Sequence, residues 1–246
     1  MSELIKVFIG YDPDEVMPYH VLSQSIIENS SLPVSIVPVA LKNLGKLYYR
    51  DRNELQSTEF SFSRFLAPYL SNYEGWGIFM DCDMFVRQDL AELWALRDDK
   101  YAVMCCKHDY QPKEDAKFLG RVQTKYEKKN WSSVMLFNNS KCRALTPDYV
   151  STRTGLELHQ FKWLEGDHLI GSIPLKWNHL VGVYDYDPAA ALVHFTEGGP
   201  YFETYKDCDY SEEWERYKAR TLHVAKDTVA QPSKEAANGV KELVSS

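Results

Sequence analysis

A chain of 246 residues, 44% hydrophobic and 26% charged, has enough apolar material for one sizeable core, and one large α/β domain is the simplest expectation. Its net charge of −7 supplies no basic footprint, which argues against nucleic acid as a partner and against general docking on an anionic bilayer. No stretch is long and apolar enough for a membrane span, and MSELIKVFIGYD reads as a first strand rather than a signal peptide. Five cysteines without metal-type spacing suggest free thiols in the reducing cytoplasm.

Taken in chain order, short runs rich in Val, Ile, Phe and Met predict strands at 5–9, 34–39, 76–80, 101–106 and 131–137. Between them lie helical patterns. Residues 15–29 place Val16, Val21, Leu22, Ile26 and Ile27 at helical spacing, with Pro18 tolerable in the first turn. Residues 59–71 put Phe62, Phe65, Leu66, Tyr69 and Leu70 largely on one face, and 89–96 start with Asp89 as N-cap. Strands alternating with helices predict a mostly parallel sheet with helices on both faces. The alternation fades after residue 140, and 147–186 should complete one side of a cleft. A last helix is expected at 211–223, anchored by Trp214, Tyr217 and Leu222. The expected boundaries are thus one domain over 1–225, followed by a flexible tail at 226–246. The charged stretch 110–130 is a solvated excursion or an active-site lid.

Several residues carry candidate chemistry. Tyr11 and Asp12 directly follow the first strand, where Tyr11 could stack on a base and Asp12 accept a hydrogen bond from it; Asp12 could equally turn the chain and cap the next helix. Arg64, on an otherwise apolar helix, needs an anionic partner, phosphate or carboxylate. Asp81 and Asp83 end the third strand at i and i+2, a spacing that puts both carboxylates on one side while Cys82 turns into the apolar layer. Two such neighbours repel unless a cation sits between them, and a hard divalent ion is the simplest remedy. The carboxyl end of a buried strand is also where open α/β sheets place ligands. Asp109 follows a strand, and Asp167 in EGDH is a candidate for binding sugar hydroxyls or for capping. His194 ends a short apolar strand just before Gly198-Gly199, and a neutral imidazole is a good third ligand beside two carboxylates. Cys105 and Cys106 read as buried filler, as do Trp163 and Trp177, although either ring could stack on an acceptor sugar.

In this order, the pieces resemble glycosyltransferase family 8, retaining enzymes of the GT-A fold, over roughly residues 4–200; the resemblance implies a single Rossmann-like nucleotide-binding domain with a mixed, mostly parallel sheet flanked by helices, its donor-binding half about 1–110 and its acceptor-side half about 111–225. MDCD resembles the family's D-x-D and FSRFLAPYL its arginine helix. WSSVMLFNNSKCR resembles N-S-G-V-x-L-x-N, EGDHL the acidic D-Q-D element, and PLKWNHL the P-x-x-W-N turn. VHFTEGGP resembles the histidine motif. The resemblance implies a hexosyltransferase using a nucleotide diphosphate donor, UDP-linked, and a saccharide or glycolipid acceptor, with peripheral membrane association at most. It implies that Asp81, Asp83 and His194 bind Mn²⁺ or Mg²⁺, that Tyr11 and Asp12 hold the uracil end, that Arg64 and Asp81 meet the donor, and that Asp109 meets the donor sugar; one imidazole among oxygen ligands leans toward Mn²⁺. The family's Lys-Pro-Trp after the histidine is replaced here by Glu-Gly-Gly-Pro-Tyr-Phe, so backbone N–H groups around Gly198 and Gly199 are expected to hold the diphosphate. Two other readings are a nucleotide-sugar binding module without turnover and a haloacid-dehalogenase-like phosphohydrolase, which also uses Asp-x-Asp but normally at the end of its first strand.

Overall fold

The computed structural model describes residues 3–51, 56–109 and 127–223. Most of the charged stretch 110–130, and the whole of the tail expected from Lys226, lie outside the described residues.

Six strands form the main sheet: β1 (Ile5–Gly10), β2 (Val34–Val39), β3 (Trp76–Met80), β5 (Val103–Cys105), β6 (Val134–Asn138) and β7 (Ile170–Ser172), in the order β2-β1-β3-β6-β5-β7. β1 pairs in parallel with both β2 and β3, and β5 with β7, while β6 is antiparallel to β3 and β5, so β6 alone runs against the rest. The sheet is therefore mixed and mostly parallel, as expected. Its inner strands are near-continuous apolar runs because both faces are covered, and β6 is buried at all five positions, whereas the edge strand β2 is only partly buried. A second sheet of three strands, β4 (Met84–Val86), β8 (His179–Leu180) and β9 (Leu192–His194), has the order β4-β9-β8. It was legible in the sequence only at β9, since runs of two or three residues carry almost no periodic signal.

Helix α1 (Val16–Glu28) buries Pro18, Val21, Leu22, Ser25 and Ile26, and packs against β4 and the last helix, α7 (Ser211–Thr221). Trp214 of α7 is fully buried beside Val21, Phe85, Val193 and Phe195, which makes a second core between the small sheet and the helices. Leu222 is not the expected anchor: it follows the helix and is 57% exposed. The expected helix at 59–71 is also broken. A 3₁₀ turn over Ser63–Leu66 leads into α3 (Ala67–Leu70), since Pro68 has no N–H to continue an i→i−4 ladder and the Arg64 carbonyl is taken by the N–H of Ala67. Between them lie the short α2 (Leu41–Leu44) and, later in the chain, α4 (Leu90–Ala95), α5 (Pro147–Thr152) and α6 (Gly155–His159). Asp89 is the N-cap of α4 as expected; its Oδ1 accepts from Ala91 N at 2.9 Å and from Ser31 N at 3.0 Å. α6 starts with a capping box built by Thr154 and Glu157.

All five cysteines are free, and Cys82, Cys105, Cys106 and Cys142 are buried; burial pushes the Cys105 thiol up to about 12, so it behaves as a small hydrophobe. Among the described residues no helix is long and apolar enough to cross a membrane.

Candidate active site

The chain passes from β1 to β2 on one side and returns with β3 on the other side of β1. The carboxyl ends of β1 and β3 therefore border the crevice where strand order reverses, the place where open α/β sheets take ligands. Tyr11 and Asp12 leave the first strand here, and Asp81 to Asp83 leave the other, since Ile9 and Met80 are register partners.

The segment Asp81-Cys82-Asp83 is the three-residue step from the large sheet into the small one: β3 ends at Met80 and β4 begins at Met84. Each end is tied down. Asp81 N donates to Ser133 O at 3.0 Å, and Asp83 O accepts from Phe195 N at 2.9 Å. Cys82 is fully buried, and its Sγ meets Glu15 Oε2 at 3.6 Å. Met84 opposes His194 across the β4–β9 pair, which brings the imidazole over Asp83. Ligand atoms of Asp81, Asp83 and His194 all lie within 4.8 Å of one another, and Asp83 Oδ1 is 3.4 Å from His194 Nε2. Residues more than a hundred positions apart in sequence thus converge as the sequence analysis expected.

The donor set fits a divalent cation. Two carboxylates and one imidazole, with Asp83 and His194 buried, suit an ion such as Mn²⁺. His194 Nδ1 is 2.9 Å from the side-chain oxygen of Asn178, an atom that only accepts, so Nδ1 carries the hydrogen. The Nε2 lone pair then faces a carboxylate oxygen, an arrangement that calls for a positive charge between them.

Arg64 is not a surface residue waiting for a ligand. It is buried, its Nη1 is 2.7 Å from Asp81 Oδ1, and it donates to the carbonyls of Ser132 at 2.9 Å and Ser61 at 3.1 Å. Its guanidinium also lies 5.3 and 5.2 Å from the ring centroids of Phe60 and Phe79. The anionic partner expected from sequence is thus, first of all, Asp81.

Asp12 is buried, and its two oxygens accept from the backbone N–H groups of Asp14 at 2.9 Å and Glu59 at 3.0 Å. It caps the 3₁₀ turn Pro13–Glu15 and ties β1 to the segment leading to Arg64. Tyr11 is half-buried, edge-on to Tyr19 with 5.5 Å between centroids, and Lys42 Nζ lies 5.9 Å from its ring. Asp109 is exposed beside His108 and raises the phenol of Tyr184 electrostatically, after the larger effect of burial. Asp167 has a side chain 71% exposed, with Lys128 Nζ at 2.6 Å; that contact first, then nearby lysine charge, holds its carboxyl below the usual range. Neither Asp109 nor Asp167 is part of the Asp81–Asp83–His194 cluster. Asp167 is not the cap of its own turn, which is Gly166.

The glycine pair departs from expectation. Gly198 has φ +132°, a backbone that disfavours any side chain, but its N–H is donated to Phe195 O at 2.9 Å rather than offered to an anion. A Cβ on Gly198 would meet the Tyr205 ring at 2.6 Å, and one on Gly199 the Tyr201 ring at 2.5 Å, so both glycines allow close aromatic packing. Trp177 and Trp163 are buried in the core, as filler.

Three contributors went unassigned in the sequence. Asn178 lay in the P-x-x-W-N motif without a role, His108 stood unremarked beside Asp109, and Tyr201, whose hydroxyl donates to the buried Glu15 at 3.2 Å, carried no signal beyond its type.

Comparison with solved structures shows the same architecture. Over 90% of this chain, the bifunctional glycosyltransferase WbbM matches with a TM-score of 0.64 at 14% identity, and the glycosyltransferase GlyE of Streptococcus pneumoniae TIGR4 with 0.58 at 14%. The galactosyltransferase LgtC, solved with donor and acceptor sugar analogues, matches with 0.56 at 12% identity over 90% of this chain. The chain spans half the length of the WbbM chain, 61% of GlyE and 98% of LgtC. At such low identities the likeness establishes the fold, which is the GT-A fold of glycosyltransferases. No protein-family model matches the chain. Protein CDI of Arabidopsis thaliana is 50% identical over 218 residues, covering 85% of this chain and 84% of that protein. The chain therefore belongs to the family of Protein CDI, built on the GT-A glycosyltransferase fold.

Proposed function

We propose that this protein is a divalent-cation-dependent glycosyltransferase that moves a hexose-type sugar from a UDP-linked donor to a saccharide or glycolipid acceptor, with retention at the anomeric carbon. The observation that carries the reading is the convergence of Asp81, Asp83 and His194 at the reversal crevice of a GT-A fold. The family 8 resemblance supports the donor class and the stereochemistry.

Asp81, Asp83 and His194 would hold the ion, Mn²⁺ in preference to Mg²⁺. When bound, it supplies Lewis-acid stabilisation of the charge that builds on the departing diphosphate. Arg64, fixed beside Asp81 by two carbonyls, adds positive potential that needs no reorganisation during the reaction. Losing one such preorganised contact typically costs about 3 kcal/mol, or ~100-fold in rate. Tyr11 offers its ring for stacking on the base, and Asp12 holds the β1 exit in shape beside the uracil end through the amides of Asp14 and Glu59. Asp109 and Asp167, both exposed, orient sugar hydroxyls. Asp81, Asp83 and Arg64 would place the donor, and the acceptor attacks from the face that the leaving group vacates, through an oxocarbenium-like ion pair that needs no protein nucleophile. With the Gly198 N–H already engaged, the diphosphate depends on the ion, on Arg64 and on the Gly199 side of the turn.

The phosphohydrolase reading loses ground because Asp-Cys-Asp ends the third strand, not the first. The non-catalytic module keeps one point in its favour, Glu197 at the start of the segment where the resembling family carries its lysine. Incubation with a panel of nucleotide sugars and divalent ions, assayed for free UDP, separates the readings. Metal-stimulated UDP release supports the transferase, and calorimetric binding without turnover supports the module. Phosphate release from simple monoesters supports the hydrolase. The Asp83→Asn variant should fold but lose metal-stimulated transfer; unimpaired turnover in that variant would remove the metal site from the mechanism.

A further inference from the structure

A buried chain of hydrogen bonds runs behind the imidazole of His194, and its direction can be deduced atom by atom. Asn178 sits at the end of the 3₁₀ turn Leu175–Asn178, fully buried. One end of its amide faces Ser133 Oγ at 2.8 Å, His108 Nε2 at 3.0 Å and the carbonyl oxygen of Asn130 at 3.3 Å. A carbonyl oxygen only accepts, so this end is the NH₂. The other end is then the oxygen that meets His194 Nδ1 at 2.9 Å, which places the imidazole hydrogen on Nδ1 and leaves Nε2 as a lone pair toward Asp83.

The same logic applies one step further back. His108 Nε2 accepts from Asn178, so its hydrogen is on Nδ1 and is donated to the Tyr184 hydroxyl at 2.8 Å. His108 can keep an acceptor at Nε2 only while it stays neutral. Burial, reinforced by the neighbouring His194 and His179, pushes its pKa down to about 3. Four side chains from separate elements therefore share one hydrogen-bond direction: Tyr184 accepts from His108, His108 from Asn178, and Asn178 from His194.

We propose that His108 is a positioning residue which, through Asn178 and with Tyr184 behind it, holds His194 in the tautomer whose Nε2 is available to a divalent cation. Metal-bound histidines characteristically donate their second nitrogen to a fixed acceptor, and disturbing that acceptor weakens metal binding by about 10–100-fold. Here the acceptor is a neutral amide, whose orientation needs its own support, and His108 provides it together with Ser133 Oγ and the Asn130 carbonyl. Without an acceptor at the His108 position only Ser133 Oγ and the Asn130 carbonyl still hold the NH₂ end, so the turned-over amide, which would offer NH₂ to His194 and favour the opposite tautomer, gains population. The tautomer half of this inference stands on hydrogen-bond geometry alone; the cation half rests on the metal site of the proposed function.

Two substitutions separate direction from packing. His108→Gln can keep an accepting oxygen near the Nε2 position, whereas His108→Leu fills similar space and accepts nothing. In metal-free protein at alkaline pH, nitrogen-15 NMR of the imidazoles should report His194 with its hydrogen on Nδ1 in wild type and in His108→Gln, and a mixed or reversed tautomer in His108→Leu. Calorimetry with Mn²⁺ alone should give affinity within about threefold of wild type for the glutamine variant and about 10-fold weaker for the leucine variant. If the leucine variant does not fold, Tyr184→Phe removes the last acceptor with little change in volume, and a smaller shift in the same direction is expected. Wild-type tautomer in His108→Leu or, in its place, Tyr184→Phe would overturn the proposal, and so would equal losses in the leucine and glutamine variants. Should wild-type protein take up no Mn²⁺, the metal reading fails and the tautomer comparison alone decides the role of His108.

Discussion

Replacing Arg64 by alanine is the most exacting test of how this site is built. The guanidinium is buried and neutralises Asp81 at 2.7 Å, satisfies the carbonyls of Ser61 and Ser132, and packs against Phe60 and Phe79. These contacts act as a unit, so their separate values do not add. Breaking a buried ion pair by deleting one partner costs about 3–5 kcal/mol, because the remaining charge is stranded. Against a typical domain stability of about 5–15 kcal/mol the variant should still fold, with a urea midpoint lowered by roughly 2 M. Arg64→Lys keeps the charge but loses the forked geometry, and should cost only about 1–2 kcal/mol. A second consequence follows from competition, since a divalent ion at the proposed site would draw on the same Asp81 carboxylate as Arg64. Saturating Mn²⁺, worth about 2.7 kcal/mol at a hundred times its Kd, should therefore stabilise Arg64→Ala by more than it stabilises wild type. Urea unfolding followed by tryptophan fluorescence, with and without Mn²⁺, measures both effects. A stability loss below about 1 kcal/mol, or equal Mn²⁺ increments in the two proteins, would refute the reasoning.

Stability should fall on mild acidification because of buried neutral histidines. His108 has its pKa pushed from 6.5 down to about 3, and His159 is also held well below the ordinary value, chiefly by burial and then by Arg64. The unfolded chain takes protons that the folded chain refuses, so this stability is present above about pH 6.5 and is lost as pH falls toward about 3. At about pH 5 an unfolded histidine is protonated about thirtyfold over neutral, which makes the share of His108 about 2 kcal/mol. Urea midpoints at about pH 7 and about pH 5 should converge between wild type and His108→Gln by that amount; parallel losses would count against it. Gly198→Ala should cost about 2–4 kcal/mol in the same assay, from its φ of +132° and the overlap with Tyr205, whether or not metal is present. An unchanged midpoint would show that the turn relaxes freely.

The amino-acid order alone determined the alternating architecture and the position of the acidic pair. Strands 34–39 and 76–80 coincide with β2 and β3 because short runs rich in Val, Ile, Phe and Met mark them whether the strand is at the edge or buried, and Asp89 is a cap because its spacing to Leu90 is local. The position of Asp81 and Asp83 was equally local, at the end of one apolar run, although the structure makes their segment a step between β3 and β4 rather than a continuation of the strand. Partner choice was a different matter. Only the tertiary structure decided that Arg64 spends its charge on Asp81, that Asp12 spends its oxygens on the amides of Asp14 and Glu59, and that the Gly198 N–H is already donated. Each of these groups has several chemically equal partners, and the selection among them is made by contacts between residues distant in the chain. His194 reaches Asp83 across the β4–β9 pair, and the tautomer of its ring is set by Asn178 and His108, which arrive from two further elements. Local spacing specifies which face a side chain occupies; closure of the two sheets on one another specifies what it meets there, because a buried polar group is costly unless it finds a partner within reach.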